Sequence, residues 1–147
     1  MGLLIISDEI KAKLKKFRFR RANDIACLIF KIDCDDNVSP PTKTLVLDDE
    51  LNDIENIEDL QEELPDCYPR YVLLSYKIEK SDGRIMYPLC FITYSPESCG
   101  VHQCMLYASV VNEVMQEAGM TESIEVRVPD EELVDEWLTS KIMKYKI

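Results

Sequence analysis

The chain has four glycines, one histidine and one tryptophan in 147 residues, and these shortages remove whole classes of chemistry. So few glycines leave no glycine-rich loop to cradle a phosphate on backbone N–H groups. The lone histidine, His102, has no nucleophile placed to use it: Cys104, two residues further along a helix, points about 200° away. None of the six cysteines (Cys27, Cys34, Cys67, Cys90, Cys99, Cys104) forms a C-x-x-C pair, so neither a zinc site nor a thioredoxin-like site is supported. "DCDDNVSPPTKT" opens like a calcium loop, but Val38 stands where the loop needs glycine and Thr44 where it needs a carboxylate. The chain is therefore read as non-enzymatic, with no metal and no cofactor. There is no apolar run of about 18 residues to span a membrane. "MGLLIIS" lacks the basic region of a signal peptide, and Ile6 replaces the Ser or Thr that myristoylation needs. Cysteines without a secretion signal read as reduced thiols in the cytosol.

What is present is charge, unevenly placed. The net charge is −11, yet residues 1–21 hold seven Lys or Arg against Asp8 and Glu9. The acidic remainder argues against a nucleic-acid partner, which would require phosphate neutralisation. The basic arm could meet an acidic partner or an anionic lipid surface.

Ser7 as N-cap, Asp8 and Glu9 in a first turn, and Ile10, Leu14 and Phe17 at helical spacing predict a helix over 8–17. "DIACLIFKID" (24–33) reads as a buried strand, ended by "NVSPP", with "KTLVLD" as a short hairpin partner. "DDELNDIENIEDLQEELP" (48–65) carries Ile54, Ile57, Leu60 and Leu64 at helical spacing and reads as an acidic helix stopped by Pro65. "RYVLLSYKIE" and "RIMYPLCFITY" flank Asp82-Gly83, a hairpin signal. A long helix follows and ends near Gly119, then the strand "ESIEVRV", then a terminal helix from Pro129 with Leu133, Val134, Trp137, Leu138 and Ile142 on one face. This order fits an α+β fold of three layers, a mixed five-stranded sheet with helices on both faces. With no repeat or linker, residues 1–147 read as one domain.

The long helix holds one formal charge in "HQCMLYASVVNEV". On a helical wheel Val101, Cys104, Tyr107, Ala108, Val110, Val111, Val114, Met115 and Ala118 fall in one half, predicted to face the core. Met105 and Leu106 fall in the polar half, near His102, Asn112 and Glu113. They are predicted to be an exposed apolar pair that could dock in a partner's groove.

"MLYASVV" in this order of elements resembles the long helix of the actin-depolymerising-factor homology (ADF-H) family. "LKKFRFRR", "LPDCYPRYVLLSYK", "SDGRIMYPLCFITYSP" and "DEEL…EWL" are similar to its glia maturation factor branch, over nearly the whole chain. The resemblance implies a gelsolin-like ADF-H fold and a monomeric regulator of the actin cytoskeleton in the cytoplasm, with the nucleus as a second compartment. It implies binding to the actin-related protein 2/3 complex, inhibition of branched nucleation and promotion of debranching, with weak or no direct actin binding. The N-terminal segment and long helix (Gly2, Leu3, Ser7, Met105, Leu106, Ser109) would meet the actin-related subunit. The hairpin tip (Asp82, Gly83, Arg84) would meet the first actin subunit of the daughter filament. Ser7 would be a phosphorylation site. Members of the branch keep Lys and Gln where Val111 and Cys104 stand.

The alternative implied by the wider family is a cofilin-like factor that binds actin monomers or filaments and severs them. That activity uses basic residues on the long helix and on the sheet. Here His102, Cys104 and Val111 match the helix positions, and Met86 and Pro88 the sheet positions, so fixed positive charge is missing from both. A third hypothesis, a thiol redox enzyme using Cys99 or Cys104, rests on their closeness in sequence.

Overall fold

The structure is a computed structural model and describes residues 4–20, 23–35, 37 and 42–146. Its centre is β2 (Ile25–Asp35), whose apolar run buries five consecutive residues, Ala26 to Phe30. A strand covered on both faces needs apolar side chains on both. Cys27 and Ile29 enter one core, and Ala26, Leu28, Phe30 and Ile32 enter the other.

The remaining strands are laid out around β2. β1 (Leu4–Ile5), β3 (Thr42–Ile54), β4 (Arg70–Ser75), β7 (Leu89–Tyr94) and β8 (Ser123–Val126) join it in one sheet of order β1-β3-β2-β4-β7-β8. β1 on β3 and β8 on β7 are parallel pairs, and the others are antiparallel. β5 (Ile78–Glu79) and β6 (Ile85–Met86) form a separate two-stranded ribbon. α1 (Asp8–Arg18) and α3 (Val101–Ala118) cover one face of the sheet. α2 (Asp59–Glu63), α4 (Pro129–Glu132) and α5 (Asp135–Lys146) lie on the other side of the chain's layers, with Leu60, Leu138 and Ile142 in the second core. The α+β mixed-sheet class agrees with expectation. The sheet has six strands rather than five because the N-terminal Leu4–Ile5 pairs with Lys43 and Thr44.

Two expectations fail for identifiable reasons. Residues 48–54 continue β3 rather than starting a helix, and the acidic helix is only the short α2. β3 is bulged against β2 between the Ile29 and Phe30 pairings and again between Ile25 and Cys27. Each bulge adds a residue and shifts the side chains to the other face. Leu45 and Leu47 therefore meet one core while Leu51 and Ile54 meet the other. Strict alternation is lost, and the remaining spacing imitates a helix. Asp53, one residue before the strand's end, has φ +52°, and its N–H donates to Asp24 Oδ2 at 2.7 Å. The terminal helix is likewise broken into α4 and α5, and Glu132 Oε1 accepts from the N–H groups of Arg127 (2.8 Å) and Val128 (2.7 Å), folding α4 back on the residues that precede it.

α3 is fixed to the sheet by tyrosines. Past the last β2–β4 pair, Phe30 with Tyr71, the Ile32 N–H has no strand on that side and donates to the Tyr107 hydroxyl at 2.8 Å. The Tyr71 hydroxyl donates to the Tyr107 carbonyl. The Tyr71 ring lies 5.1 Å from that of Tyr107 and 5.7 Å from that of Phe91. Burial, with Tyr107 and Glu113 beside it, pushes the Tyr71 hydroxyl well above its ordinary range, so it remains a donor. The helix ends at Gly119, φ +73°, with its N–H on Gln116 O (3.2 Å) and that of Met120 on Met115 O (2.9 Å). We expect Tyr107→Phe to leave the Ile32 N–H buried without an acceptor, at a cost of about 1–3 kcal/mol. A lowered urea midpoint at unchanged m would show it, and an unmoved midpoint would refute it.

Candidate partner-binding surface

The tyrosine contacts determine how α3 is rotated. Tyr107, Val110, Val114 and Ala118 are its fully buried residues. On the helical wheel they centre roughly 50° from the middle of the predicted apolar half, toward Leu106. Leu106 is therefore half-buried and packs on the same core as Leu4, Ile6 and Ile10, which corrects its expected exposure. Met105 is 66% exposed, as expected. Val101 (73% exposed) and Ala108 are exposed where burial was expected. The result is a stripe of Val101, Met105, Ala108 and Asn112 along one face of α3, all exposed. Ser109 lies beside it, its hydroxyl donating to Leu106 O at 2.7 Å. α3 contains no Lys or Arg.

The N-terminal segment runs along the same helix. The Leu4 N–H donates to Glu113 Oε2 at 3.2 Å, joining β1 to α3. Ile5 is 46% exposed. Ser7 is exposed, and its Oγ accepts from the Ile10 N–H at 3.2 Å as the cap of α1. Gly2 and Leu3 lie outside the described residues.

The hairpin tip is a different surface. β7 runs from the hairpin at Leu89 toward Tyr94, after which the chain turns into α3. The tip and the start of α3 are thus at opposite ends of the sheet. The loop holds three residues: Lys80 N–H donates to Arg84 O (2.7 Å), Gly83 N–H to Lys80 O (2.9 Å), and Gly83 sits at φ +89°. Asp82, Gly83 and Arg84 are all exposed. Asp82 accepts from the Arg84 N–H (3.1 Å) and Nε (2.7 Å), and these bonds, the backbone one first, hold its carboxyl below the ordinary carboxylate range. Met86 is half-buried against the core and Pro88 is buried, so neither offers an open contact.

Among the described residues no group of His, Cys, Asp or Glu is placed to hold a metal ion, and no helix is long and apolar enough to cross a membrane.

Residues 4–143 match the cofilin/tropomyosin-type actin-binding protein family. The chain is 41% identical over 137 residues to human glia maturation factor beta, covering 93% of this chain and 91% of that protein. The chain belongs to the cofilin/ADF family, in its glia maturation factor branch. Drosophila melanogaster glia maturation factor is 39% identical, with 93% and 94% covered. The solution structure of glia maturation factor from Caenorhabditis elegans superposes with a TM-score of 0.75 at 37% identity, covering 96% of both chains. Membership of the branch makes this an actin-regulating chain with the ADF-H fold.

Within that branch the surface features missed by sequence reasoning are Val101, Ala108 and the tether at Glu113. The first two share with Met105 and Asn112 the i, i+4, i+7, i+11 spacing of one face and would have been found had the wheel been centred on Tyr107. Glu113 carried no such signal, because its partner is a backbone N–H far away in sequence. We expect Met105→Asp to unfold within about 0.5 kcal/mol of wild type. Leu106→Asp should lose about 1–3 kcal/mol, because its site lies against the core. Equal urea midpoints for the two variants would contradict the placement of Leu106.

Proposed function

We propose that this chain binds the actin-related protein 2/3 complex, restrains branched nucleation and promotes debranching, without catalysis and without a cofactor. The observation carrying this reading is the uncharged stripe of Val101, Met105 and Ala108 beside an N-terminal segment tethered to the same helix. Removing Met105 and Val101 from water on a partner would contribute roughly 1.5–3 kcal/mol each, before the cost of association. Leu106 supports that face from below, and Ser109 sits at its rim. Gly2 and Leu3, which precede β1 in the sequence, are further contacts in this reading. The tip at Asp82, Gly83 and Arg84, held in one shape by its own ion pair, is the second contact, facing the first actin subunit of the daughter filament. Two contacts at opposite ends of the sheet allow one monomer to bridge a branch junction, and their combined binding favours a weakened junction. This places the chain at actin networks in the cytoplasm.

The absence of cations on α3 separates this reading from a cofilin-like one, in which charge-assisted contacts would grip actin. Ser7 is exposed and lies on the tethered segment. A phosphate there would add charge beside Asp8, Glu9 and the docking face, and would weaken docking.

A pull-down of purified complex tests the proposal. Wild type is expected to retain the complex, and Met105→Asp to lose tenfold or more, about 1.4 kcal/mol, with unchanged circular dichroism. Undiminished capture by Met105→Asp would move the docking face elsewhere. Strong cosedimentation of wild type with actin filaments at low salt would favour the cofilin-like activity instead.

A further inference from the structure

We propose that Cys99 and Cys104 form a redox modification site, which a peroxide converts to an intramolecular disulfide closing over the first turn of α3. The two residues straddle the helix start. Gly100 between them is the N-cap and offers no side chain to that end. The Cys104 N–H donates to Gly100 O at 3.1 Å, placing Cys104 in the first turn. The Cys99 sulfur lies back over this turn, 3.5 Å from the Gly100 carbonyl and in hydrogen-bond contact with the Cys104 thiol. Cys27 and Cys90 are buried, whereas Cys99 and Cys104 are half-exposed and open to a small oxidant.

The pair is asymmetric. Burial first, and then the hydrogen bond to Cys104, push the Cys99 thiol up to about 11. Its S–H can turn to the Gly100 carbonyl or to the Cys104 sulfur, which keeps the proton on Cys99, while the Cys104 N–H acts in the opposite sense and by less. Because the Cys99 proton is held, we assign the first oxidation to the Cys104 sulfur. The Cys104 sulfur attacks the O–O bond of hydrogen peroxide, giving a sulfenic acid, and the thiol proton leaves with the departing oxygen as one water. The Cys99 sulfur then displaces the sulfenic oxygen, which leaves as a second water with the Cys99 proton, and the S–S bond forms. Two thiols lose two protons and two electrons, and the peroxide takes up both to become two waters. Cys67 is the competitor: it is exposed and near enough to disfavour charge on Cys99, but it makes no hydrogen bond to it.

The bond would form one residue before Met105. An effect on docking therefore rests on the function proposed above, while the bond itself is scored independently by mass. The full chain is treated with hydrogen peroxide, alkylated and cleaved at glutamate, which releases residues 98–113 carrying Cys99, Cys104 and no other cysteine. The expected product is that peptide lighter by two hydrogens and unalkylated, with two of the six thiols lost and both restored by dithiothreitol. Cys104→Ser, folded by circular dichroism, should lose the internal bridge. A link from this peptide to Cys67, sulfinic acid at Cys104 with no bridge, or the same loss in Cys104→Ser overturns the assignment. If the bridge forms and capture of the actin-related protein 2/3 complex is unchanged, the site stands and only its link to docking fails.

Discussion

The structure depends on one buried contact set, in which the Tyr107 hydroxyl accepts the Ile32 N–H and the Tyr107 carbonyl accepts from Tyr71. An amphipathic helix on a sheet could rotate to bury its most apolar face. α3 does not, because a buried N–H left open costs more than an exposed valine or methionine. The tyrosines set the rotation, and the rotation exposes Val101, Met105 and Ala108 while drawing Leu106 down. Glu113 then lies where it can accept from Leu4 and hold the N-terminal segment on the same side. The candidate surface is in this sense a consequence of satisfying backbone groups at the end of the β2–β4 ladder.

Charge follows a complementary logic. The basic arm looked free to meet an acidic partner, but much of it is answered within the chain. Lys11 pairs with Glu117 (3.8 Å), Lys13 with Glu50 (3.0 Å) and Arg20 with Asp24 (2.5 Å). Arg18 stacks on Phe19 at 4.9 Å and fills the space beside Gly119. The exposed Lys11 and Lys13 pairs add little stability, about 0–1 kcal/mol each. Their effect is to reduce the cationic character of α1, beside an α3 that has no Lys or Arg. On the function proposed above, such a surface would select partners through apolar contact and shape more than through charge.

Elements with one strong period were legible in the sequence. α1, β2, the β4–β7 hairpin, α3 and its glycine stop all follow from capping, burial runs and turn chemistry. What escaped were features set by distant partners. The two bulges in β3 erased its alternation, so Asp48 to Ile54 imitated a helix. β1 is two residues long and exists only because β3 offers it an edge. Of the site residues, Met105 and the Asp82-Gly83 turn were readable from local pattern. Val101 and Ala108 were not, because their exposure is decided by a hydroxyl reaching from α3 to β2.

The central claim is that the face of α3 bearing Met105 is the one that docks. Hydroxyl-radical footprinting of the chain, free and bound to the actin-related protein 2/3 complex, tests it most directly, because an exposed methionine is oxidised readily. The account predicts that oxidation of Met105 slows several-fold on binding while that of exposed Phe19 and Tyr68 does not change. Equal oxidation of Met105 in both states, with protection at Phe19 or Tyr68 instead, would contradict it.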